Sequence, residues 1–216
     1  MATNSEILNN IAGRLGGRTA PTFRATVLFE LMQKIYQLEQ GPNPPWFLES
    51  YETGQVVIGQ NYISVPTGFI REVEEHVLKV KNSDGGWFEL RKCTIEDLEK
   101  ATESEVNAFP QGYALVGARF YLGPTPDQNY DYKILCFKHS PQVFDNNIEA
   151  SNPWLVEAYN YITLETIDIV ARTHMQSSEI PEKIAAQLGQ AREIFWRDVE
   201  ARKHVNMDYL LTGEEN

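Results

Sequence analysis

Cysteine is scarce. Cys93 and Cys136 are the two in 216 residues, and they stand 43 positions apart. They make no CxxC and no disulfide framework, so a reducing compartment is expected. Histidine is scarce too: His76, His139, His174 and His204 fall in no HxxH, HExxH or HxH spacing, and no metal site is expected. There is no GxSxG, no P-loop and no GxGxxG; Gly13, Gly16 and Gly17 follow no strand and read as a helix stop. No apolar run approaches the roughly 18 residues of a membrane span, so no membrane contact is expected. Residues 1–6 have neither a basic region nor an apolar core, so no signal peptide is expected. Basic side chains are outnumbered, 19 against 30 acidic, for a net charge of −11. That balance argues against ordinary binding to a phosphate backbone, which requires a basic patch. It reads either as plain solubility or as a surface that repels nucleic acid.

What is present is helix at the two ends and strand between them. Thr3-Asn4-Ser5-Glu6 caps an amphipathic run through Ile7, Leu8, Ile11 and Leu15, which Gly16-Gly17 stops. A second helix begins near Pro21, carries Phe23, Val27, Leu31, Ile35 and Leu38, and ends at Gly41-Pro42-Asn43-Pro44-Pro45. Trp46-Phe47-Leu48 follows as an aromatic plug. Val56–Ile58 and Tyr62–Val65 read as short strands about a hairpin-like turn at Gly59-Gln60-Asn61. Ile70–Lys81 and Trp87–Lys92 are expected to pair across Ser83-Asp84-Gly85-Gly86. Thr94 to Leu98 opens a short helix with Asp97 in a variant capping box. The densest strand signal is Tyr113–Leu122 and Tyr130–Phe137, read as two antiparallel strands joined by an exposed loop. Helix returns at Asn152-Pro153 and runs to about Met175. A last helix carries Ile180, Ile184, Leu188, Ala191, Phe195 and Val199, and beyond His204 the pattern dissolves. The fold class is therefore α+β: a bundle of the N- and C-terminal helices (1–45 plus 150–205), an inserted antiparallel β-rich domain (46–149) and a C-terminal tail (206–216).

Two segments are candidates for contact with other molecules. Met207, Tyr209, Leu210 and Leu211 put four apolar side chains in five residues near the chain end, where polar residues are usual. Such a segment either folds back or inserts into a partner. Gly123, Pro124, Thr125, Pro126, Asp127, Gln128 and Asn129 form the stiff loop between the two strongest strands. Catalytic candidates are weaker. Carboxylates at Glu72, Glu74, Glu75, Glu96, Asp97, Glu99, Glu103 and Glu105 offer the pairs that glycoside cleavage needs, but thirty acids supply such pairs by chance. Cys93 before a helix reads either as an activated thiolate or as a half-buried structural residue. The four tryptophans read either as a sugar-stacking platform or as seals between bundle and insert. No catalytic residue, cofactor or metal ligand is assigned.

The order of four elements resembles the head-to-tail adaptor (connector) proteins of tailed, especially short-tailed, bacteriophages. These are the second helix ending in prolines and Trp46-Phe47-Leu48; Tyr62-Ile63-Ser64-Val65-Pro66-Thr67-Gly68-Phe69; Tyr113 to Phe137 with its Gly-Pro-x-Pro loop; and Asn152-Pro153-Trp154-Leu155. The length of the β region departs from that family. The resemblance implies a structural virion protein and no enzyme. It implies a homo-oligomeric ring, expected to be a dodecamer, assembled in the host cytoplasm and docked on the portal protein of the capsid. The downstream tail or nozzle protein would meet the β part, and DNA would pass through without specific binding. In this reading Met207, Tyr209, Leu210 and Leu211 dock on the portal, and Gly123–Asn129 contacts the tail component. Two alternatives stay open: a glycan-cleaving cell-wall hydrolase, or a carbohydrate- or receptor-binding module.

Overall fold

The computed structural model describes residues 4–18, 20–73, 77–102, 107–140 and 152–212. The N-terminal elements are α1 (Asn4–Arg14), α2 (Pro21–Glu39) and a 3-10 turn at Trp46–Leu48. Strands β1 (Glu49–Val56), β2 (Tyr62–Ser64), β3 (Phe69–Glu72), β4 (Leu78–Lys81), β5 (Trp87–Glu89) and β6 (Arg91–Lys92) follow. Helix α3 (Ile95–Thr102) precedes β7 (Gly112–Val116), β8 (Arg119–Gly123) and β9 (Tyr130–Lys138). Helices α4 (Pro153–Glu157), α5 (Tyr159–Thr173) and α6 (Glu179–Thr212) complete the chain. The fold is α+β. Residues Met1–Leu48 and His139–Asn216 make one compact unit, and Glu49–Lys138 the other.

The helical unit is built around α5. Ile7, Ile11 and Leu15 of the first run, Val27, Leu31 and Ile35 of α2, and Ile184, Leu188, Phe195 and Val199 of α6 are buried at steps of three and four, the stripe of a helix with one solvated face. Tyr161 through Ile167, Val170 and Ala171 of α5 are buried on nearly every side, because α1, α2, α4 and α6 all pack on it. Local signals set the ends. Gly16 and Gly17 adopt φ of +88° and +70° just past α1, a conformation that costs glycine little. Pro21 opens α2, and the Asn152 side chain accepts from Trp154 N (2.8 Å) ahead of Pro153. The helix expected from Asn152 to Met175 is broken at Ala158, whose φ and ψ of −128° and 20° leave the helical region.

The β unit has two sheets around one core. In the first, β1 pairs along the whole of one side of β9, while β4 and β3 share the other side and β5 extends β4. The second runs β2-β8-β7-β6, with the short β6–β7 pairing parallel. Val56, Leu78, Val80, Tyr130, Ile134 and Cys136 from the first sheet meet Ile63, Tyr113, Phe120 and Leu122 from the second. The alternation in β9 is therefore real: residues 130, 134 and 136 are buried in that core, and Tyr132 packs against it.

Strand pairing departs from expectation in three places. Tyr113–Leu122 is not one strand opposite β9. It is itself a hairpin, β7–β8, turning at Gly117-Ala118, where Gly117 takes φ +59°. Val56 and Tyr62 do not form a hairpin either, since β1 joins β9 and β2 joins β8 in the other sheet. Across Asn82–Gly86 only Leu78–Lys81 and Trp87–Glu89 face one another; β3 is a separate strand and β6 crosses to the second sheet. In each case periodicity identified strand, and the partner depended on residues far away in the chain. At the C-terminus α6 continues through Thr212, although the apolar stripe fades near His204. No proline or glycine lies between Gly189 and Gly213, so nothing in the backbone stops the helix.

Candidate functional site

The loop Gly123–Asn129 links β8 to β9 and so passes between the two sheets. Its inner side is stitched to the β unit. The carbonyls of Gly123, Thr125 and Pro126 accept from the backbone N–H groups of Gln111 (2.9 Å), Ala108 (2.8 Å) and Gly59 (2.9 Å). Ile58 N donates to Asn129 Oδ1 (2.9 Å), and the Tyr130 hydroxyl to Asp127 Oδ1 (2.6 Å). Burial and that bond to Asp127 raise the Tyr130 pKa. The Gly123-Pro124 peptide is cis. Pro126 is buried, and only Asp127, Gln128 and Asn129 of the seven are exposed. The structure adds two residues to this surface that the sequence reading missed. Val57 and Ile58, in the turn hydrogen-bonded to the loop, are 47% and 56% exposed. Two apolar residues beside Gly59 in a turn were the available signal.

The second candidate lies at the other end of the chain, in the helical unit. Positions 207, 209, 210 and 211 belong to the helical backbone of α6; their side chains lie outside the described residues. They therefore extend a helix, where the sequence reading expected a tail.

Two buried carboxylates organise the helical unit. Glu39, 3% exposed, accepts from Trp154 Nε1 (2.9 Å) and Ser140 N (3.1 Å), and lies 2.7 Å from His139 Nδ1. His139 stacks on Tyr36, with ring centroids 5.3 Å apart. This clasp holds the point at which the chain re-enters the helical unit. Glu165, 4% exposed, binds Arg192 of α6 (2.5 Å) and Lys34 of α2 (3.1 Å). Burial alone would raise its pKa, yet the hydrogen bonds and charges of Arg192 and Lys34 bring it below the ordinary carboxylate value. Tyr161, buried beside Glu165, is pushed up to about 12. Trp46, Phe47, Trp154, Phe195 and Tyr161 form a chain of ring contacts through this unit, and Arg202 lies 4.5 Å from the Trp46 ring centre.

A cavity of about 550 Å³ opens among α1, α4, α5 and α6, lined by Asn10, Phe47, Tyr159, Thr163, Ile194 and Phe195 among others. Each of its two carboxylates faces an arginine: Glu157 is 3.7 Å from Arg202 and Asp198 is 3.8 Å from Arg197. Elsewhere, Glu72 meets Lys92 and accepts from the Tyr113 hydroxyl (2.6 Å). Thr94 caps α3 by accepting from Asp97 N (3.2 Å), but the expected reciprocal bond differs: Asp97 Oδ2 accepts from the Thr94 hydroxyl (2.8 Å) in place of its backbone N–H. Cys93 is half-buried and directs its Sγ to the Arg91 carbonyl (3.2 Å). Among the described residues no three His, Cys, Asp or Glu side chains converge to hold a metal ion. Glu74, Glu75, His76, Glu103 and Glu105 lie outside those residues, as do the side chains of His204 and beyond.

The pattern in both units is that of ion pairs and hydrogen bonds used to position elements. Comparison with protein-family models finds a match over residues 3–198 to the family described as SU10 adaptor protein. The chain belongs to the SU10 adaptor protein family. The match spans both units and ends within α6, ahead of Met207. No curated protein matches the chain. Membership supports the resemblance to phage head-to-tail adaptors: the adaptor is a structural phage protein of the head-to-tail junction, and its family implies contacts with portal and tail proteins.

Proposed function

We propose that the adaptor assembles as a ring, of twelve copies, that docks on the portal of the capsid and joins it to the next tail or nozzle component. The observation that carries this reading is the division of labour in the chain. Both ends build one helical unit, and the whole β unit is inserted between Leu48 and His139 as a second compact body. A protein that must meet two different partners is served by two separately folded surfaces. Assembly takes place in the host cytoplasm before the ring joins the virion. The adaptor is not an enzyme and needs no cofactor.

In this reading α6 is the docking element. Buried positions follow its stripe as far as Val199, and thirteen further residues to Thr212 carry the helix about 20 Å beyond. Met207, Leu210 and Leu211 stand three and four residues apart, the spacing of one helix face, with Tyr209 beside them. Such a face suits a groove on the portal. The exposed Asp127, Gln128 and Asn129, with Val57 and Ile58, offer the β unit's surface to the tail component. The net charge of −11, repeated round the ring, makes a channel wall along which DNA slides without specific binding.

Deletion of Val205–Asn216 tests the docking role. The shortened adaptor is expected to fold with unchanged β-unit stability and to stop co-sedimenting with portal rings. Undiminished co-sedimentation would show that the end of α6 does not dock.

A further inference from the structure

The two outer faces of the β unit are unlike, and each suits the other. On the first sheet, Val80 is buried opposite Phe88 and Tyr132. The alternation of strands then puts Lys79, Lys81, Trp87, Glu89 and Lys133 on the outward face. Trp87 is 39% exposed there. Lys133 Nζ lies 4.5 Å and Lys81 Nζ 5.9 Å from its ring centre. Lys79 is occupied by Glu89 at 2.7 Å. Lys81 and Lys133 have no carboxylate partner among the described residues, although acids outnumber bases in the chain.

The second sheet has a groove on its outward face. Gly112 and Gly123 pair across β7 and β8, and a Cβ on Gly123 would come within 2.6 Å of Leu98 Cδ2. The missing side chains let Leu98 settle on the strands and fix α3 against them. Beside it opens a space of about 520 Å³ lined by Ile95, Leu98, Val116 and Tyr121, with Glu99 as its charged lining residue. Val116 is 46% exposed. Glu96 and Glu99 are exposed on α3 and form no ion pair among the described residues. Of the cations on this face, Arg119 lies over the Tyr62 ring at 4.3 Å, Arg91 stands on β6 opposite Gly112 and Lys100 is in the last turn of α3.

We propose that the β unit of one copy docks on the β unit of the next, with Trp87 entering the groove beside α3 and Lys81 and Lys133 meeting Glu96 and Glu99. This inference rests on the ring reading and supplies its contact. A second copy is the occupant because both surfaces belong to one chain and are complementary in local charge: among the described residues, two lysines without carboxylate partners beside Trp87 and two glutamates without ion pairs beside the groove. Tryptophan is also over-represented among the residues that dominate interface energies. Knob and groove lie on opposite sides of the shared core, so the contact is heterologous: each copy uses one face on each neighbour, and repetition gives a ring where the rotation between copies closes.

Light scattering and sedimentation of the full-length adaptor test this. Trp87→Ala is expected to raise the concentration needed for association by about thirty-fold or more, as is the pair Glu96→Lys/Glu99→Lys. Mixed in equal amounts, these two variants retain one intact groove and one intact knob between them, so they should form heterodimers and nothing larger. Adding Lys81→Glu/Lys133→Glu to the Glu96→Lys/Glu99→Lys chain should restore assembly. Far-UV circular dichroism of Trp87→Ala should match the parent, since Trp87 lies outside the buried core of the β unit. Rings that form undiminished with Trp87→Ala, or a mixture without heterodimers, overturn the contact and leave the ring reading standing. A parent protein that stays monomeric both alone and with portal overturns both.

Discussion

The helical and β units solve the same packing problem with different materials. The buried polar or charged residues among those described, Glu39, Asn152, Thr163, Glu165 and Thr166, all belong to the helical unit. The core of the β unit is aliphatic and aromatic, with one buried thiol. The reason lies in how each kind of element finds its register. Paired strands are aligned by their own backbone ladder, so a sheet core can be wholly apolar and still be unique. Helices pack through side chains alone, by ridges and grooves that tolerate sliding. In this protein Glu39 and Glu165 supply the fixed points: one gathers Trp154, His139 and Ser140, and the other ties α2 and α6 to α5.

That contrast can be broken most severely at Trp154. The indole is fully buried and is a donor to Glu39, so Trp154→Ala both opens a cavity and loosens the clasp. A loss of about 3–5 kcal/mol is expected, measured by urea denaturation followed by circular dichroism. A loss below about 1 kcal/mol would show that the clasp and its ring are not central to the helical unit.

A smaller and differently located effect is expected from Gly123→Ala. The new Cβ would lie 2.6 Å from Leu98 Cδ2, the far end of a flexible side chain, and 3.6 Å from Leu98 Cα. Leu98 must shift, at about 1–2 kcal/mol, and the loss should fall on the β unit. Cys136 reports on that unit alone. It is fully buried, and burial together with Glu52 pushes its thiol up to about 11, so it is unreactive until the unit opens. In a Cys93→Ser background, Gly123→Ala should speed labelling of Cys136, whereas Trp154→Ala should speed it less.

The smallest effect is a pH dependence that belongs to the helical unit. The folded-state pKa of Glu165 lies below its unfolded value. Its contribution is therefore fully present above the ordinary carboxylate pKa and is lost as pH falls through the folded value. The stability difference between the parent and Glu165→Gln should shrink as the solution is made more acid than about pH 4.5, the ordinary value for this group. A difference that holds constant across that range would mean the Arg192 and Lys34 contacts do not depend on the charge of Glu165.

The helices were legible because their signals are local. Pro21, Gly16-Gly17 and Asn152-Pro153 act on their own neighbours, and the α6 stripe needs only one chain segment. The pairing of strands was not legible. Period-two alternation in Tyr130–Phe137 tells which face is buried and is silent about which strand lies alongside. Gly117 was the missed cue: a glycine inside an apolar run that looked like one strand in fact turns it, at φ +59°. The candidate surfaces divide the same way. The exposed tip Asp127–Asn129 lies within the loop singled out from the sequence, while the turn carrying Val57 and Ile58 joins it through hydrogen bonds from Ile58 and Gly59 to residues far along the chain. The sequence leaves Trp87 open between platform and seal, because the lysine that lies against it, Lys133, comes from another strand.

The insertion of the β unit between Leu48 and His139 also fixes how the molecule bears load. The segments before and after the β unit, up to Leu48 and from His139, belong to the helical unit. A pull on the two termini is borne first by contacts among helices, with Glu39 and Glu165 as rivets. The β unit is closed at its own ends by the pairing of Glu49 with Phe137, so it carries no tension until the helical contacts yield. Strain along the length of the chain is thereby kept away from the sheets.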